Sequence, residues 1–113
     1  MLVLVVVMLA ILLAMATLSV DVARMQLTRT QLRTASDAAA HAGSEALVRT
    51  QSVADARLAA KQAALRNPVA GTGLQLADTD ILFGRATQSS RGEFVFNQGE
   101  TPPNSVRIIG RRT

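Results

Sequence analysis

The chain has no cysteine, no tryptophan and no tyrosine, and only one histidine and three phenylalanines among its 113 residues. Without cysteine there is no disulfide framework and no thiolate metal site, while the redox compartment stays undetermined. A lone His41 leaves any metal site dependent on carboxylates, and a solvated imidazole beside Asp37 on a helix is the simpler reading. Charge is missing in a localised way: residues 1–20 contain no Asp, Glu, Lys, Arg or His. The net charge of +4 therefore belongs to the remainder. It is spread without a run or patch, which argues against nucleic-acid binding and against a polybasic lipid anchor. Proline is absent before Pro68, and Gly43 is the sole glycine before Gly71.

What fills the first twenty positions is an apolar run interrupted only by Thr17 and Ser19. Twenty helical residues cover about 30 Å, the thickness of a bilayer hydrocarbon core. Thr17 and Ser19 can donate back to helix carbonyls, so neither breaks the span. Ala14-Met15-Ala16 matches the A-x-A pattern of a cleaved signal, but no basic segment precedes the run and the run exceeds signal length, which favours a retained anchor. Arg24, Arg29 and Arg33 follow the span, so a plain positive-inside count leaves residues 21–113 in the cytoplasm. A chain opening inside its own hydrophobic run leads one to expect missing upstream basic residues, which would reverse that count.

From Asp21 to Arg49 strong helix formers dominate, and the helix is expected to continue out of the membrane without a hinge. Arg33/Asp37, Asp37/His41 and Glu45/Arg49 are same-face pairs worth a few tenths of a kcal/mol each. Small residues recur every fourth position in three adjacent rows: Ala35/Ala39/Gly43, Ser36/Ala40/Ser44 and Ala38/Ala42/Ala46. Such rows bury little, roughly 0.8 kcal/mol per methyl, but admit another backbone at close range. Gly43 costs up to ~1 kcal/mol in a helix interior, so its presence predicts a tight helix–helix contact, within the chain or between copies. Asp21, Asp37, Ala39 and Gly43 are the candidate packing and assembly residues.

Ser52-Val53-Ala54-Asp55 has the form of a capping box with Asp in place of Glu, and predicts a second helix from Val53 to Leu65 that Asn67-Pro68 stops. Antiparallel packing of this Ala-rich helix on the first is the simplest arrangement. Beyond Gly73 the period changes to two, with alternation at Ile81/Phe83, Phe94/Phe96 and Val106/Ile108. Strands are expected over 74–84, 93–97 and 105–110, in an antiparallel meander covered by the helices. The stop on Arg111-Arg112-Thr113 leads one to expect further strands beyond it. The fold class is α+β. Its parts are a transmembrane helix over 1–20, an Ala-rich helical stalk and hairpin over 21–66, and a small three-stranded antiparallel β region over 67–113.

Together these pieces resemble the TadE/TadG-like proteins of the Flp (tight adherence) pilus assembly system. Val20-Asp21-Val22-Ala23-Arg24 is similar to the family's aspartate just after the span. Gln31-Leu32-Arg33-Thr34-Ala35-Ser36-Asp37-Ala38-Ala39-Ala40-His41-Ala42-Gly43-Ser44 resembles its signature Gln-Leu-Gln-x-Ala-Ala-Asp-Ala-Ala-Ala-Leu-Ala-Gly-Ala, departing at Arg33, Ser36, His41 and Ser44. Asp80-Ile81-Leu82-Phe83-Gly84 and Pro103-Asn104-Ser105-Val106-Arg107-Ile108 resemble its strand segments, with Ala86 near a position where the family often carries Trp. The resemblance implies a single-pass protein of the bacterial inner membrane with its C-terminal part outside the cytoplasm. It implies a minor pilin-like or assembly role, with the bilayer, other pilus-assembly subunits or copies of itself as partners.

No phosphate-binding Gly-rich loop, nucleophile elbow or zinc-ligand spacing is present. Asp78 and Asp80 are expected on one strand face with Glu93 opposite, a group that suits acid–base work or Ca²⁺ in principle but reads more simply as solvated strand-end charge. The chain is thus read as no enzyme, with no cofactor, no metal, no nucleic acid and no small-molecule substrate. The alternative function is the extracytoplasmic input fragment of a membrane receptor.

Overall fold

The computed structural model describes residues 1–111; Arg112 and Thr113, on which the expectation of further strands turns, lie outside it. Two compact units are present, Met1–Thr30 and Gln31–Thr113. One helix, α1 (Leu2–Thr50), contributes to both. In the first unit every residue from 1 to 27 is exposed, including Leu4, Leu12 and Leu18 at 60% or more. The segment is long and apolar enough to cross a membrane, and a lipid environment is one that removes this surface from water. Thr17 Oγ1 donates to the carbonyls of Leu13 and Ala14, each at 2.9 Å, so the hydroxyl is satisfied within the helix.

In the second unit α1 ends at Thr50, and Gln51 takes the left-handed conformation (φ 54°) that commonly closes a helix. Ser52 then opens α2 (Val53–Arg66) by accepting from the Asp55 amide at 3.3 Å. The box is half formed, because the Ser52 amide turns to Thr50 Oγ1 instead. Asn67 stops α2 by donating from its amide side chain to Ala63 O at 2.7 Å, and Pro68 follows. A short hairpin, β1 (Pro68–Val69) and β2 (Thr72–Gly73), comes next. Its turn has positive φ at both Ala70 and Gly71, the mirror-type turn that matches strand twist.

The main sheet has β3 (Ile81–Gln88), β4 (Phe94–Gln98) and β5 (Ser105–Ile108), all antiparallel. Its order is β4-β3-β5, so the first strand is central and residues 99–104 carry the chain from one edge to the other. This corrects the expected meander. The first strand is also displaced, running 81–88 instead of 74–84. Residues 74–80 make no ladder: the Leu74 amide donates to Ala64 O at the end of α2. Asp78–Asp80 form a 3-10 turn whose Asp80 carboxylate accepts from the Ala77 amide at 3.2 Å. Just past the third strand, Gly110 seats against Ser36 and Leu32 of α1, where any Cβ would collide.

Register sorts the sheet faces. Ile81 pairs with Ile108 and Phe83 with Val106, so these four side chains share one face. That face packs on the helices, and Phe83 and Val106 touch both core clusters. Leu82, Gly84 and Ala86 lie on the other face, as does Phe96 through its pairing with Ala86. A Cβ on Gly84 would meet the Asn97 carbonyl and the Phe96 ring at once. The Asn104 side chain lengthens the β5 edge of the ladder: Oδ1 accepts from the Ala86 amide at 2.7 Å and Nδ2 donates to Ala86 O at 3.2 Å.

Gly84→Ala is expected to destabilise the fold by about 1–3 kcal/mol, the usual range for forcing atoms into packed space. Denaturant titration of the full chain in detergent micelles checks this. An unshifted midpoint would show that β4 and the Phe96 ring do not approach Gly84.

Candidate helix-packing site

The row Ala35/Ala39/Gly43 is wholly buried, while Ser36, Ala40 and Ser44 are half-buried and in the third row only Ala46 is buried. What the buried row meets is α2 of the same chain. A Cβ placed on Gly43 would lie 3.3 Å from the Ala60 Cβ and 3.5 Å from Ala56 O. Ala35 and Ala39 cluster with Ala60 and Ala64, whereas Ala46 and Leu47 cluster with Ala56. Numbers therefore fall along α1 as they rise along α2, which is an antiparallel pair. Ala56, Ala60 and Ala64 are each fully buried and four apart, so two rows of small residues face each other.

Small residues on both sides explain why the contact forms as it does. Neither helix offers a long side chain to interdigitate, so the backbones close in until methyl meets methyl and Gly43 faces the Ala56 carbonyl. The larger apolar groups stack on top: Phe83 and Val106 from the sheet close over both clusters, and the Val106 Cγ1 is 3.5 Å from where a Gly43 Cβ would stand. The hairpin is tied to the same helix by Gln31, whose Oε1 accepts from the Ala70 amide at 2.8 Å. Gly73 is likewise obligatory, since a Cβ there would strike the Leu65 carbonyl.

The four candidate residues are not brought together. Ala39 and Gly43 lie in the α1–α2 contact, Asp37 is exposed, and Asp21 is exposed in the other unit. Of the same-face charge pairs, Glu45–Arg49 closes at 3.9 Å; Arg33–Asp37 and Asp37–His41 form no ion pair among the described residues. Nor do Asp78, Asp80 and Glu93 converge. Asp78 faces Lys61 and Arg57 of α2, Asp80 lies 3.8 Å from Arg111, and Glu93 is exposed beside the β3–β4 turn. The expected common strand face for Asp78 and Asp80 is replaced by the 3-10 turn.

The Asp78 cluster is the feature that periodicity did not signal. Arg57 and Lys61 stand one helical turn apart, and the Arg57 guanidinium also lies 5.4 Å from the centre of the Phe83 ring. The hydrogen bond from Lys61, reinforced by its charge, holds the Asp78 carboxyl below its ordinary value of 3.8. An i, i+4 pair of cations on α2 is visible in the sequence, but nothing there indicates that residue 78 returns to it.

An exposed apolar helical segment long enough to cross a membrane and a small α+β unit closed by small-residue helix packing define the class: a single-span α+β chain. The family model Tad, described as "Putative Flp pilus-assembly TadE/G-like", matches residues 1–65, more than half of the chain, and the chain belongs to that family. No curated protein and no solved structure matches it. The matched region covers the apolar segment, the small-residue rows and nearly all of α2; the strand segments around Ile81 and Val106 lie beyond it. The protein is thus a Flp pilus-related membrane protein of an assembly family.

A group whose folded value is lowered stabilises above its unfolded value and loses that contribution as pH falls through the folded one. Asp78→Asn is therefore expected to lower stability slightly at neutral pH, the side chain being two-thirds exposed and screened. The difference from wild type should shrink as pH falls below the ordinary aspartate value of 3.8. Thermal melts of both proteins across pH 2–7 test it; a gap that persists in acid would contradict the Lys61–Asp78 pairing.

Proposed function

We propose that this protein is a pilin-like or accessory component of a Flp (tight-adherence) pilus or secretion assembly. Residues 1–20 anchor it in the bacterial cytoplasmic membrane, residues 21–66 form the helical part, and the β region over 67–113 completes a head outside the cytoplasm. The observation that carries this reading is the family match across α1 and α2. It is supported by an apolar segment fully exposed in the isolated chain. The resemblance favours the outside location, whereas Arg24, Arg29 and Arg33 counted alone favour the opposite one. We give the resemblance more weight, because it rests on an ordered series of motifs and the charge rule on three residues.

The role read here is assembly: Asp78 and Asp80 are each held by cations of their own, Glu93 stands apart from them, and the one imidazole is solvent-facing. Ala39 and Gly43 act by fixing α2 on α1. Asp21 and Asp37, both left exposed, are available to contact the bilayer-embedded or extracytoplasmic parts of other pilus subunits, or of further copies.

Deleting the gene is expected to abolish surface pili and adhesion, and complementation to restore both. A compartment-dependent reporter fused after Thr113 in the natural gene should signal from outside the cytoplasm. Unchanged piliation in the deletion strain would contradict the assembly role, and a cytoplasmic signal would contradict the orientation.

A further inference from the structure

β4 is an edge strand, and the phase of its ladder shows which backbone groups it leaves free. The Gly99 amide donates to Phe83 O at 3.0 Å and the Ser89 amide to Glu93 O at 2.7 Å. Register pairs Arg85 with Asn97 and Thr87 with Val95 between these two points. Bonded pairs alternate along an antiparallel ladder. Val95 and Asn97 therefore turn their N–H and C=O toward β3, and those of Phe94, Phe96 and Gln98 point away from the sheet. Among the described residues nothing pairs with them. Edges that avoid further pairing carry lysine, proline or a bulge. Phe94-Val95-Phe96-Asn97-Gln98 has none of these, and Phe94 is 76% exposed.

We propose that the free edge of β4 pairs antiparallel with β4 of a second copy of this chain, about a two-fold axis at Phe96, joining two three-stranded sheets into one of six. In that register Phe94 lies opposite Gln98 of the second copy and Phe96 opposite Phe96, so each outward group meets an outward group. The flanking charges select the direction. Arg91 precedes the strand and Glu100 follows it; antiparallel pairing brings Arg91 of one copy to the Glu100 end of the other, at both ends. Parallel pairing would set Arg91 on Arg91, Glu93 on Glu93 and Glu100 on Glu100, and like charges directly opposite are destabilising. The strand is thus self-complementary in hydrogen bonding and in charge. The pair also gives Phe94 a neighbour, since it stands diagonal to Phe96 of the second copy, within aromatic reach. None of this depends on the pilus role or on membrane orientation.

The absence of cysteine makes the register directly measurable. Full-length Phe94→Cys and Gln98→Cys chains carrying different tags are co-expressed in membranes and oxidised mildly. Both substitutions fall on exposed positions and leave the Phe96 ring on Gly84. Residues opposite in a bonded antiparallel pair have Cα atoms about 5.5 Å apart, within disulfide range. In each variant alone the like positions are four residues out of register, about 13 Å apart. The mixture should therefore give a mixed disulfide dimer several-fold in excess of either variant alone. Absence of the mixed dimer would overturn the proposal, and so would equal cross-linking in the single variants, which signals unregistered collision.

Discussion

Everything in the second unit depends on two helix backbones approaching more closely than ordinary side chains permit. Ala35, Ala39, Gly43 and Ala46 on α1 face Ala56, Ala60 and Ala64 on α2, and all of them are buried. Each methyl contributes little by area, about 0.8 kcal/mol. Their joint effect is geometric: by taking so little space they let the sheet come down over the pair. Phe83 and Val106 then reach both clusters, and Leu74, Leu76 and Ile81 fill the remaining core. A long side chain at Gly43 would separate the helices and lift that cover.

The same close approach recurs wherever the chain meets itself at a glycine. Gly73 lies on the Leu65 carbonyl, Gly84 under Phe96 and against Asn97, and Gly110 on Ser36. Gly110 joins elements far apart in the sequence, while Gly73 and Gly84 set the contact between close neighbours. The polar side chains that finish the fold have the same reach. Gln31 holds the Ala70 turn, and the Asn104 side chain gives Ala86 the hydrogen bonds that a longer β5 would offer. With apolar residues this small, the unit relies on backbone-directed polar contacts and on the few large groups of the sheet.

Much of this was legible beforehand. The uncharged start, the helix through Arg49, the cap at Ser52 and the stop at Asn67-Pro68 follow from local rules with little competition. The buried row was visible as a row, and antiparallel packing of α2 on α1 as its simplest arrangement, although spacing alone does not say whether a small-residue surface meets its own chain or another. Period two located the strand cores around Ile81, Phe94 and Val106. It failed at residues 74–80, where Leu74 and Leu76 alternate like a strand but the backbone bonds to the end of α2 and turns through Asp78–Asp80. Strand order was hidden too: residues 99–104 cross the sheet to the edge where Asn104 bonds Ala86, a contact that no local pattern signals. Among the charged groups, Arg57 and Lys61 stand four apart in the sequence, but only the 3-10 turn brings Asp78 to them.

The contact between α1 and α2 is open to one direct measurement. Gly43→Cys and Ala60→Cys, introduced together in the full-length chain, place their Cβ atoms about where a disulfide requires them, the built separation being 3.3 Å against a typical ~3.8 Å. After mild oxidation in membranes, packing within the chain predicts an internal disulfide: a monomer that has lost two hydrogens by mass and no longer reacts with maleimide. Disulfide-linked dimers would contradict it and show that the small-residue row of α1 faces another molecule; two thiols that stay free and reactive in the folded protein would contradict the close approach of α1 and α2.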